Sequence, residues 1–165
     1  MAYDKFKLTE KCSIIEINTS KSLHQLDLDF LFDYQLFPQN IMTYKNQWSE
    51  ENRTMRIGDT IAQQVYIPPT KFLSQKIIFG VRINEIIDQP DKKGFSYETL
   101  EGHVEKGIST FTVEQAGNKV IFKIHTFSSP GNVLTKLLGP VFSVPYQTYC
   151  TQQALKNVRR QLEKH

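Results

Sequence analysis

The sequence predicts an α+β fold in which a curved antiparallel β-sheet wraps around a long C-terminal α-helix. Three observations predict it. Between Met55 and Phe127 apolar residues recur with a period of two, in consecutive runs separated by proline, glycine and asparagine turns. After Ser128 the period changes, and Tyr149, Leu155, Val158 and Leu162 recur at helical spacing. The strands are grouped rather than interleaved with helices, which argues for an antiparallel sheet and against a Rossmann-type fold.

The first forty residues carry the weakest pattern. Ser13 to Asn18 reads as a short strand, with Ile15 and Ile17 alternating with polar neighbours, and Asp27 to Phe37 as a short helix that ends before Pro38. Gly58 to Ile67 then alternates Ile61, Val65 and Ile67 against Thr60 and Gln64, and stops at Pro68-Pro69. Ser74 to Ile87 is the clearest strand, with Ile77, Phe79, Val81 and Ile83 on one face and Lys76, Arg82 and Asn84 on the other. The run Gln89-Pro-Asp-Lys-Lys-Gly94 predicts a turn into Phe95 to Leu100, where Phe95, Tyr97 and Thr99 share a face. After a bend at Gly102, Phe111 and Val113 face one way and Thr110, Thr112 and Glu114 the other. Ala116-Gly-Asn118 closes a hairpin whose return strand, Lys119 to Phe127, points Val120, Phe122 and Ile124 inward. Ser129 is placed to cap a helix starting at Pro130 and stopping at Gly139-Pro140. Ser143 is placed to cap a second, longer one with Pro145 in its first turn, so that the chain ends in two helices or in one helix kinked at its prolines.

At 165 residues and 39% apolar content the chain has material for one hydrophobic core, and residues 1–165 read as a single domain. Twenty Lys and Arg are scattered among seventeen Asp and Glu, for a net charge of +3, which gives no reason to expect a nucleic-acid partner. Two cysteines, Cys12 and Cys150, form neither a disulfide framework nor a zinc spacing. No segment approaches the ~18 apolar residues of a membrane span, and the charged N-terminus does not resemble a signal peptide. The expected location is the cytoplasm. With no P-loop, G-x-G-x-x-G or G-x-S-x-G and no metal spacing, neither a cofactor nor a metal is expected.

A helix gripped by a curved sheet often leaves a space between them. Phe79, Val81, Tyr97, Thr99, Phe111, Phe122 and Ile124 occupy alternating inner positions, where they either line such a cavity or fill a solid core. The densest local signal is Gly94-Phe-Ser-Tyr-Glu-Thr-Leu-Glu-Gly-His-Val-Glu-Lys-Gly107. Read physically, it is a strand, a bend at Gly102 and a second strand. His103 at the bend can turn its imidazole to the mouth of the sheet, with Glu105 two residues on. The pair can hold a ligand's polar head or serve as acid or base and orienting group. Alternatively, His103 fixes the turn by bonding a backbone carbonyl, and Glu105 pairs with a surface lysine.

This motif resembles the hallmark of the domain-of-unknown-function family nineteen-ninety. The likeness extends through Arg56-x-Gly58-Asp-Thr upstream and Phe127-Ser-x-Pro130 and Leu138-Gly-Pro140 downstream, covering Trp48 to the C-terminus. The chain departs from the family pattern at Ile108-Ser109, where two acids usually follow the last glycine. The resemblance implies a helix-grip fold like that of the START and birch-pollen-allergen superfamily, whose members enclose apolar small molecules. It implies no established activity. The leading expectation is therefore a non-catalytic binder of a largely apolar ligand, with polar contacts from Tyr97, Thr99 and His103. The alternatives are an enzyme using the same space with His103 as acid or base, and a solid-core protein that works through its surface.

Overall fold

In chain order the strands are β1 (Thr9–Ile17), β2 (Met42–Asn46), β3 (Thr60–Ile67), β4 (Gln75–Gln89), β5 (Lys92–Thr99), β6 (Lys106–Ala116) and β7 (Lys119–Ser129). The helices are α1 (Asp29–Phe32), α2 (Gln47–Glu50) and α3 (Pro140–Leu162), with a 3₁₀ turn at Leu23–Gln25. This computed structural model describes residues 8–69, 74–100, 106–129 and 140–164. The strands pair antiparallel in one seven-stranded sheet of order β1-β7-β6-β5-β4-β3-β2. The chain thus lays down one edge, crosses to the other, and fills the middle hairpin by hairpin.

The sheet follows the period-two reading closely, because one face is buried and a slip of one residue would turn every apolar side chain to water. Phe95 lies opposite Phe111, which in turn lies opposite Ile124, and Val113 lies opposite Phe122. Two boundaries differ from expectation. The β4–β5 turn takes only Pro90 and Asp91, since Lys92 already pairs with Gln89 and Glu114. The strand Met42–Asn46 and the helical turn after it had no clear period, being too short to show one.

Gly94 and Gly107, which bound the central motif, are explained by close backbone approach. A Cβ on Gly94 would sit 2.0 Å from the Phe111 carbonyl oxygen, and one on Gly107 would sit 2.1 Å from that of Phe127. Both positions therefore accept only hydrogen where strands cross tightly.

The C-terminal helix is a correction. Rather than starting under a Ser143 cap, α3 begins at Pro140 and runs through Ser143 and Pro145 for 23 residues. Pro145 sits near the start, where the loss of one backbone bond is tolerated by a long helix held by its packing. Ser129 is the last residue of β7. The helix expected from Pro130 to Gly139 lies outside the described residues.

The second correction concerns what covers the concave face. The sequence pattern assigned that face to the C-terminal helix alone. In the structure α3 packs over β1 and β7 through Ala154, Leu155, Val158 and Leu162, while the segment from Leu23 to Trp48 fills the remainder. Leu23, Leu31, Tyr34, Leu36, Ile41 and Trp48 are all buried. The expected helix over Asp27 to Phe37 is only four residues long, because Tyr34 turns left-handed at φ 64°. Gln35 N–H then bonds back to the Phe30 carbonyl at 2.8 Å, a helix-ending arrangement that usually employs glycine. Here the unusual backbone aims the Tyr34 ring into the core, against Tyr44, Phe95 and Tyr97.

Candidate functional site

The concave face changes character along its length, and each element that builds it changes in the same direction. Along β7 the inward residues run Val120, Phe122, Ile124, Thr126, Ser128; along β6, in reverse, Val113, Phe111, Ser109, Gly107; along β1, Ile17, Ile15, Ser13, Lys11. The antiparallel register brings the polar ends together. Helix α3 repeats the trend, since the face it turns to the sheet passes from buried Leu162, Val158 and Leu155 back to half-buried Thr151 and Gln147 and exposed Thr148. One end of the space between sheet and helix is therefore packed solid with apolar side chains. The other end holds side chains too short or too polar to fill it.

A cavity of about 250 Å³ opens at that second end. Phe37, Tyr97, Phe111 and Ile124 form its apolar wall, with Tyr97 and Phe111 ring centroids 5.4 Å apart. Ser13, Ser109, Thr126 and Ser128 line the sheet side, and Gln147, Thr148, Cys150, Thr151 and Gln152 the helix side. Lys11 lies at the rim with its Nζ 3.4 Å from Gln147 Oε1. The Ser109 and Thr126 hydroxyls bond each other at 3.2 Å.

Tyr97 is held from behind. The Tyr34 hydroxyl, itself accepting from Gln63 Nε2 at 2.7 Å, is bonded to Tyr97, and burial with the neighbouring Tyr97 phenol pushes Tyr34 well above the usual tyrosine range. Such a phenol stays protonated and neutral at all physiological pH. On the helix side, burial pushes the Cys150 thiol up to about 11, so it is not a poised nucleophile near neutrality.

Of the residues singled out in the sequence, the structure brings Tyr97, Phe111 and Ile124 together in the cavity wall. Val81 and Phe122 point to the same face but are fully enclosed in the core. Phe79 packs with Ile67 in a separate small cluster touched by Tyr146. Thr99 Oγ1 accepts from the Gly107 N–H at 3.0 Å, tying β5 to β6 rather than lining the cavity. His103 and Glu105 lie outside the described residues. Among the described residues no three His, Cys, Asp or Glu side chains gather as a metal site would require. No described helix is long and apolar enough to cross a membrane.

The sequence reading missed the polar half of the site because it followed apolar residues and stopped where they stopped. The signal was present. Counting on by twos from Ile124 reaches Thr126 and Ser128, back from Phe111 reaches Ser109, and back from Ile15 reaches Ser13 and Lys11. Phe37 offered no such signal, since its position depends on the Tyr34 backbone.

Residues 28–157, well over half of the chain, match the family described as Domain of unknown function (DUF1990). The chain belongs to this family. A UPF0548 protein of Deinococcus radiodurans is 36% identical over 61 residues, a stretch covering 36% of this chain and 31% of that protein. The chain thus aligns with about a third of that relative's length. Among solved structures, ginseng major latex-like protein 151 from Panax ginseng superposes with a TM-score of 0.60 at 11% identity, covering 94% of this chain and 97% of that one. The di-domain ARO/CYC StfQ from the steffimycin biosynthetic pathway gives 0.59 at 7% identity, covering 95% of this chain and 51% of StfQ. At such identities the likeness is one of fold, and the fold is helix-grip.

Proposed function

We propose that this protein binds a small amphipathic organic molecule in the cavity between the sheet and α3, without itself acting on it. The observation that carries the reading is the shared polarity gradient. A concave face that only filled a core would stay apolar along its length, or be closed by larger side chains. Here four elements turn to serine, threonine and glutamine at the same end, beside the rings of Tyr97 and Phe111 and the side chain of Ile124. The volume lies just under the ~300 Å³ at which small-molecule sites usually begin, so the ligand is compact. It is also less apolar than the sequence led one to expect, since a purely hydrocarbon ligand would leave the hydroxyls without partners. The fold likeness to major latex-like and ARO/CYC proteins is consistent with enclosing a ring-bearing molecule, as an analogy of fold.

A binder of this kind has a direct test. Neutral two-ring aromatics carrying one amide or hydroxyl, such as 2-naphthamide, are expected to bind at micromolar concentration and raise the melting temperature, because they bind only the folded state. Thr151→Trp, which fills the cavity from the helix side, is expected to abolish the shift while leaving a cooperative melt. No shift in the parent protein for a broad set of such compounds at millimolar concentration would reject the reading and favour a protein that works through its surface.

A further inference from the structure

The cavity is rich in donors and, among the described residues, contains no carboxylate. Lys11 is the one formally charged side chain in its lining. The polar partner that faces its ammonium is the neutral Gln147 Oε1, at the long distance of 3.4 Å, and among the described residues Lys11 forms no ion pair. An ammonium has three protons to give and nothing to accept with, so two of its positions are open to a ligand.

The hydroxyl pair beside it points the same way. Lys11 lies directly opposite Thr126 in the β1–β7 register, and Thr126 is bonded to Ser109. Two hydroxyls that share one hydrogen bond use one of their two protons. The other remains to be donated, and no described side chain receives it. Lysine and hydroxyl together thus offer two directed donors at the polar end of a cavity whose opposite wall is aromatic.

A basic groove farther along the same seam reinforces this. Along the same seam between β1 and α3, past Ile15, a groove is lined by Lys156, Arg159, Arg160 and Lys164 with Glu163 as its one acid. That acid is already engaged by the Arg159 Nε at 2.8 Å and the Asn18 N–H at 2.8 Å. The field along the seam is positive, and it draws an anion toward the cavity rim.

We infer that the ligand is a small organic anion, a carboxylate on a compact ring-bearing body, with its head held by Lys11 and the Ser109–Thr126 hydroxyl pair and its body against Phe111, Tyr97 and Ile124. The inference rests on the cavity reading above and adds the charge of the ligand to it. Carboxylate acceptors make shorter and stronger bonds to such donors than neutral ones do. No covalent step is involved, and Cys150 remains a wall residue.

The test compares 2-naphthoate with 2-naphthamide, which share size and shape and differ in charge, by calorimetric titration of the full chain. Naphthoate is expected to bind about tenfold more tightly. Lys11→Gln is expected to bring the two to near parity by weakening naphthoate alone, Lys11→Arg to retain the preference, and Ser109→Ala with Thr126→Val to reduce it partly. High salt should compress the preference, since Lys11 sits at an open rim. Lys11 lies exposed on an edge strand, so the two Lys11 variants keep the fold and carry the test. Equal affinity for the two compounds in the parent, or a naphthoate preference that survives Lys11→Gln, overturns the anion assignment and leaves the cavity reading standing. Binding of neither compound overturns both.

Discussion

Gln63 Nε2 donates to the Tyr34 hydroxyl at 2.7 Å, and both side chains are buried although 29 residues separate them. Gln63 is the polar member of an otherwise apolar inner row on β3, and Tyr34 is the residue whose left-handed backbone ends α1. Their bond joins the N-terminal segment to the sheet directly behind the cavity wall at Tyr97. It is also what satisfies a buried amide that water cannot reach.

Tyr34→Phe is accordingly expected to cost about 2 kcal/mol, because it leaves the Gln63 amide without its acceptor while keeping the ring. Gln63→Leu should cost less, since a tyrosine hydroxyl retains the Tyr97 neighbour. The double variant should be less damaged than the two losses added together. Urea denaturation of all three proteins checks this, and strict additivity would show that the bond does not couple the segments.

Asp59 is expected to be the most sensitive carboxylate. Its oxygens take a two-pronged bond from Arg53 at 2.7 and 2.7 Å and the Arg56 N–H at 2.8 Å, and the Arg53 guanidinium holds its carboxyl below the usual range. Asp59→Ala should lower the melting temperature, because it removes the two-pronged acceptor of Arg53 and the acceptor of the Arg56 N–H. A folded-state pKa that is depressed means stability present above the ordinary aspartate range and lost as pH falls through it. The parent protein should therefore lose stability steeply below about pH 4, and Asp59→Asn should flatten that slope. Chemical denaturation between pH 3 and 7 distinguishes the two proteins.

Alkaline pH acts through groups shifted the other way. Burial pushes Cys150 up to about 11 and Tyr44 up to about 12, and raises Tyr34 and Tyr146 as well. Raised folded-state values mean stability that is complete below the ordinary thiol and phenol range and is lost as pH rises through the folded values. The melting temperature should be level from neutrality to about pH 8.5 and fall above it. Tyrosinate absorbance from the buried rings should appear together with unfolding rather than before it.

Cys12 is exposed and Cys150 lies in the cavity wall, so the two thiols should differ in reactivity. At pH 8 a small maleimide is expected to modify Cys12 readily and Cys150 many times more slowly, because a raised pKa leaves little thiolate. A cavity ligand should slow Cys150 further and leave Cys12 unchanged. Mass spectrometry of peptides from timed reactions reads both rates, and equal protection of the two cysteines would place the ligand elsewhere.

Gly94→Ala and Gly107→Ala should each destabilise by several kcal/mol, roughly 3 or more, since backbone oxygen lies where the new methyl must go. Gly58→Ala meets no atom within 4 Å and is opposed only by its φ of 95°. Its loss should be smaller, and thermal melts of the three variants rank them.

The sequence by itself determined the parts of this protein that repeat. Alternation over Ile77–Ile83, Phe95–Thr99 and Val120–Ile124 set both the strands and the inward face, because a half-buried strand admits one periodicity. The spacing of Leu155, Val158 and Leu162 set the helix that crosses it, and the Gly94–Gly107 motif identified the family. Tertiary structure decided the rest. The left-handed turn at Tyr34, the four-residue α1 and the burial of Leu23, Leu31 and Trp48 depend on partners supplied by distant strands, and short irregular segments have no period from which to be read. The site was decided the same way. Lys11, Ser109, Thr126 and Thr151 are ordinary polar residues in the chain, and they become a donor-lined cavity only when antiparallel register and the course of α3 bring their ends of four elements to one place.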